Sequence, residues 1–137
     1  MSRRESREAA VQTLFEMDLN SGLSLEDAYF AVESERKNFS ENDKSYSFLL
    51  IKGTCENLAD IDELITKFSE GWKIKRMATV DRAILRLAVF ELKFSNENLK
   101  PNIVINEAVE LAKTFGTDES ARFVNGVLSG IIKDNKN

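Results

Sequence analysis

Residues 81–92 read DRAILRLAVFEL, a stretch with apolar side chains almost all round when placed on a helix. Ile84, Leu85, Leu87, Ala88, Val89, Phe90 and Leu92 leave only Asp81, Arg82, Arg86 and Glu91 polar. Such a helix either stands at the centre of a core or is covered in part by another protein. Thr79 is expected to cap it. Arg82 and Arg86 share a strip at i, i+4 and are expected to pair with neighbouring carboxylates. About seven helices in a small domain cannot enclose every face of this one, so part of its surface is expected to meet a partner.

The pattern on either side is helical too. One proline and six glycines in 137 residues leave little punctuation, and no segment alternates as a strand would. A first helix runs from about Arg4 and stops at Asn20-Ser21-Gly22. Ser24, with Asp27 three residues on, starts a short helix carrying Leu25, Ala28, Tyr29 and Val32. Ser40 with Asp43 starts a longer one, where Cys55 is expected to pack as a small apolar residue. A helix through residues 61–68 follows, either continuous with it or capped near Asp60. Ser69-Glu70-Gly71 breaks the pattern, and Trp72 is expected to anchor two halves of the fold. Pro101 opens a helix that ends at Gly116, and Thr117 caps the last helix. The tail, residues 135–137, is expected to fray. The chain reads as all-α, one domain over residues 1–137, with no repeat or linker.

Composition narrows the chemistry. The absence of histidine removes Ser-His-Asp and Cys-His nucleophiles, and the single cysteine, Cys55, rules out an intrachain disulfide. Glu107 and Glu110, at i, i+3, read as solvated carboxylates and not as a catalytic pair. No glycine-rich loop leads from a strand into a helix. A non-enzymatic protein without cofactor or metal is expected. No apolar run approaches the ~20 residues of a bilayer span, so a cytoplasmic location without membrane contact is expected.

Charge is distributed unevenly. The formal net charge is −4, yet Arg3, Arg4 and Arg7 crowd the first seven residues. On a helical wheel they continue the face of Val11, Leu14 and Phe15. That predicts a first turn overhanging the core, although cations there oppose the helix dipole. Either it is a frayed solubilising end, or it grips phosphate, for which the guanidinium fork is suited. The last helix opens with Arg122 and Phe123, a cation and an aromatic that either grip a nucleotide or join the core. Gly126 and Gly130, four residues apart, predict a close helix crossing at both positions.

Three stretches together carry a resemblance: SREAAVQTLFEMD at the start, VDRAILRLAVFEL in the middle and PNIVINEAVELAKTFGTDESARFVNGVL near the end. They resemble the NusB family of bacterial transcription antitermination factors, in the right order and at the right spacing. The resemblance implies two small helical bundles packed side by side. It implies binding of single-stranded boxA RNA of ribosomal RNA leaders, not DNA, as a heterodimer with the ribosomal protein NusE within the RNA polymerase antitermination complex. Carried over by position, Arg4 and Arg7 match the family's arginine-rich start, and Arg3 extends them. Glu5 stands where a more basic relative has arginine. Glu119 and Phe123 match positions tied to RNA contact, with Arg122 beside them. Asp81 matches an acidic position on the NusE-facing surface, and Arg82 adjoins it. A NusB-like domain also occurs ahead of ribosomal RNA methyltransferase domains; a stand-alone factor is the expectation here. The alternative, from a different class, is a protein–protein scaffold without RNA contact.

Overall fold

Three hydroxyl caps mark helix starts in the computed structural model, which describes residues 3–97 and 99–134. Ser24 Oγ accepts from the Asp27 N–H, Ser40 Oγ from Asp43 and Thr117 Oγ1 from Ser120, at 3.1, 3.0 and 3.1 Å. Each satisfies a backbone donor that the first helical turn would leave unpaired. The helices are α1 (Arg4–Leu19), α2 (Leu25–Ser34), α3 (Glu41–Glu56), α4 (Leu58–Phe68), α5 (Thr79–Val89), α6 (Pro101–Phe115) and α7 (Asp118–Asp134). A 3-10 turn spans Ile74–Arg76 and a π-helical turn, Phe90–Phe94, extends α5. Among the described residues there is no strand. The expected frayed tail lies outside them.

α1, α2 and α3 pack together as one bundle and α4 to α7 as a second, with α5 also lying against α1. One buried cluster runs through both, from Ala10 and Leu50 to Leu128 and Ile131. Ala83, Ile84, Leu85, Leu87, Ala88, Val89 and Phe90 are all buried within this chain. The excess apolar surface expected on the central helix therefore does not exist: both bundles cover it. Thr79 is not its cap either. Ala78 occupies that position without a side-chain hydrogen bond, and Thr79 is already helical. Cys55 is half-buried against the core, and burial raises its thiol pKa.

The paired glycines of α7 have different surroundings. A Cβ at Gly130 would come within 3.2 Å of the Phe68 ring, the close crossing expected from the sequence. Gly126 has nothing within 4 Å of that position and faces solvent, so it supports no crossing. An exposed helical glycine carries only its backbone-entropy cost. Gly126→Ala is thus expected to stabilise the protein by roughly 0.5–1 kcal/mol. A thermal melt showing a lower midpoint would place a packed surface there.

No helix among the described residues is long and apolar enough to cross a membrane.

Candidate nucleic-acid interface

The start of α1 does not overhang. Arg7 is buried, its side chain 6% exposed, and its Nε and Nη2 donate to Glu91 Oε1 and Oε2 at 2.8 and 2.9 Å. The Tyr46 hydroxyl donates to the same carboxylate at 2.8 Å. Glu91 reaches inward from the π-helical turn, where the Ser95 N–H bonds back to the Phe90 carbonyl. Burial opposes the Arg7 charge, but the hydrogen bonds and charge of Glu91 outweigh it and raise the pKa. This guanidinium is an internal strut, so its expected exposure on an overhanging turn is corrected.

Arg3 and Arg4 remain at the surface. Arg3 pairs with Glu97 at 2.7 Å, and its guanidinium lies 3.9 Å above the centre of the Tyr46 ring. Arg4 forms a fork to Glu107, at 3.3 Å from Nε and 2.9 Å from Nη2. Hydrogen bonding to Arg4, more than the proximity of charge, lowers the Glu107 pKa. Both guanidiniums are thus at the surface and already paired with carboxylates. Surface pairs of this kind contribute little stability.

A second surface lies at the N-terminal ends of α5 and α7. A groove of about 440 Å³ is lined by Trp72, Arg76, Asp81, Glu119, Ser120 and Phe123, among others. Phe123 is only partly buried and meets Trp72 edge to face, ring centres 6.2 Å apart at 69°. Trp72 is 55% exposed, so it is not the interior anchor expected. Glu119 and Arg122 are exposed. Asp81 lines this groove beside Glu119 and Phe123, not a separate face. It is only 9% exposed, and its Oδ1 has no hydrogen-bond partner. Asp81, which the resemblance implies faces NusE, is therefore nearly buried within this chain. The arginines at the start of the chain do not line this groove; Arg3 lines a different recess, with Asn42, Tyr46 and Leu49.

Arg82 and Arg86 pair internally, as their spacing predicts. Arg82 Nε donates to Asp18 at 2.7 Å and its Nη1 to the Ile74 carbonyl at 2.9 Å. Arg86 forks onto Asp62 at 2.9 Å. Arg82 thereby ties α5 to the end of α1 and to the 3-10 turn. The sequence alone did not point to residues 71–76, GWKIKR, although a signal was present: three cations follow a tryptophan within four positions.

Both tyrosines give the fold an alkaline limit. Burial first and Glu91 second push Tyr46 up to about 12, while burial and Glu33 push Tyr29 up to about 12. An unfolded chain releases these protons near 10, so between those values the unfolded state binds fewer protons. Stability should then be full below about pH 10 and fall as pH rises toward 12. Tyrosinate absorbance is expected to appear together with loss of helical circular dichroism. Ionisation near pH 10 in a protein still folded would contradict the burial of these hydroxyls.

The profile of the NusB family matches residues 4–133. A transcription antitermination protein NusB from an Exiguobacterium species is 44% identical over 135 residues, covering 98% of this chain and 99% of that protein. Among solved structures, NusB of T. maritima superposes with a TM-score of 0.88 at 35% identity, covering 98% of this chain and 92% of that one. A structure of the antitermination factors NusB and NusE in complex with double-stranded RNA matches with a TM-score of 0.85 at 31% identity, covering 96% of each chain. Fold, length and sequence agree, and this chain belongs to the NusB family.

Proposed function

We propose that this protein is an RNA-binding transcription antitermination factor that recognises boxA RNA of ribosomal RNA leaders together with NusE, as part of the RNA polymerase antitermination complex. The observation that carries the reading is the near-full-length match to a family with a solved complex containing both NusE and RNA. The whole chain acts as one non-enzymatic unit in the cytoplasm. Its acidic body keeps bulk nucleic acid at a distance. Arg3 and Arg4 exchange Glu97 and Glu107 for phosphates, while Phe123, with Arg122 and Glu119 beside it, meets the bases.

Asp81 and Arg82 take part in docking NusE by shaping the surface. Asp81 lines the groove, and Arg82 donates to the Ile74 carbonyl of the 3-10 turn. Asp81→Lys would force an ammonium into a position this buried, so it tests stability more than docking. The alternative, a scaffold without RNA contact, draws on the internal pairing of Arg3, Arg4 and Arg7. Labelled single-stranded boxA RNA titrated with this protein, with NusE and with both separates the readings. The proposal expects binding by this protein alone and tighter binding by the pair. A scaffold would bind NusE and leave the RNA unbound. A duplex of the same sequence, run in parallel, tests the preference for a single strand.

A further inference from the structure

We propose that Trp72 and the cations after it, Lys73, Lys75 and Arg76, form with Phe123 a stacking surface and phosphate path for single-stranded RNA. The inference rests on the RNA-binding reading above and names further residues that would perform it. The pattern of ion pairing comes first. Arg3 and every arginine of α1 and α5 are matched by a carboxylate. Among the described residues, Lys37, Lys52, Lys73, Lys75, Arg76, Lys100, Arg122 and Lys133 are exposed and make no ion pair, and only Lys73, Lys75 and Arg76 fall within four consecutive positions. The run at 73–76 concentrates available positive charge beside Trp72, where a polyanion could follow it.

The second observation is the indole. Trp72 leaves more than half of its surface in water, beside an aromatic ring and at the lip of a groove large enough for a base. It does not sit on a loose loop. Glu70 and Gly71 take φ of +51° and +89°, and the former is costly for a residue with a Cβ. Ser69 then holds the turn: its Oγ donates to the Trp72 carbonyl at 2.7 Å, and its own carbonyl accepts the Trp72 N–H at 3.1 Å. A strained, braced turn that exposes an apolar ring holds the ring ready for a ligand.

The groove also has polarity. Glu119, Asp81 and Arg76 line it, and Lys73 and Lys75 lie between Trp72 and Arg76 in the chain. Phosphates are repelled by the carboxylates and attracted by the cations. Bases therefore point into the groove, and the backbone follows residues 73–76. Exocyclic amino groups would find carboxylate acceptors there, so bases bearing them are favoured over uracil.

Trp72 is the only tryptophan, so its fluorescence reports on stacking directly. The full chain is titrated with the single-stranded boxA RNA, and labelled-RNA anisotropy and tryptophan emission are followed in parallel. Quenching that tracks the anisotropy is expected. Trp72→Ala should weaken binding about 5- to 100-fold, with Trp72→Phe between it and wild type. Lys73→Ala with Lys75→Ala should lower the salt slope by about 0.7 for each phosphate that is no longer neutralised. All these side chains are exposed, so unchanged circular dichroism melts are expected to confirm an intact fold. RNA binding without quenching, and with wild-type affinity in Trp72→Ala, would overturn this surface while leaving the RNA reading intact. No binding by wild type, with or without NusE, would overturn both.

Discussion

Arg7→Ala is expected to destabilise the protein by roughly 3–5 kcal/mol, the cost of leaving one partner of a buried ion pair uncompensated. The substitution strands Glu91, whose side chain is 2% exposed and which would keep only the Tyr46 hydroxyl as a neutral donor. It also opens a gap between α1, α3 and the π-helical turn. Arg4→Ala, at the surface, should leave the melting curve almost unchanged. A urea titration of both variants distinguishes a buried strut from an overhanging turn. Replacing both partners together, Arg7→Met with Glu91→Leu, should recover most of the loss, because no charge then lacks a partner. Equal midpoints for wild type and Arg7→Ala would return this arginine to solvent.

Gly53→Ala is the second large effect. A methyl group there would clash with Cε1 and Cζ of the Phe90 ring. Phe90 is 5% exposed and begins the π-helical turn that aims Glu91 inward, so it cannot move without disturbing the Arg7 pair. Alanine recovers about 1 kcal/mol of helix propensity, but overpacking a filled core typically costs about 1–3 kcal/mol and here meets a ring with little room to yield. A net loss of about 1–3 kcal/mol is expected, opposite in sign to Gly126→Ala. A calorimetric midpoint at or above wild type for Gly53→Ala would show that α3 and the π-helical turn do not approach this closely.

Both effects depend on partners distant in sequence, whereas the helices and several of their ends follow from local signals. Ser24, Ser40 and Thr117 cap within three residues, Pro101 opens α6, and Gly116 follows its end. The buried face of α1 is equally visible from spacing, with Val11 and Leu14 in the core. The fate of Arg7 is not, because its partner lies 84 positions away and faces inward from a π-helical turn. Gly126 and Gly130 share a spacing, and only the position of Phe68 separates them. Large aromatics usually anchor a core, which is why composition points Trp72 inward; a left-handed turn puts it outside. Asp81 and Phe123 belong to two surfaces by sequence, and the packing of α5 against α7 makes them one. Distant pairing, more than local propensity, decides which charges are free for function.

The proposed exchange of carboxylates for RNA phosphates by Arg3 and Arg4 is open to direct measurement through salt. Binding to single-stranded boxA RNA is followed over a range of salt concentrations, for wild type and for Arg3→Ala with Arg4→Ala. For wild type, the logarithm of the binding constant should fall linearly with the logarithm of salt concentration. In the double variant the slope should be shallower by about 0.7 per arginine removed, roughly 1.4 in all, with the melting curve little changed. An unchanged slope and affinity in a folded double variant would contradict the exchange.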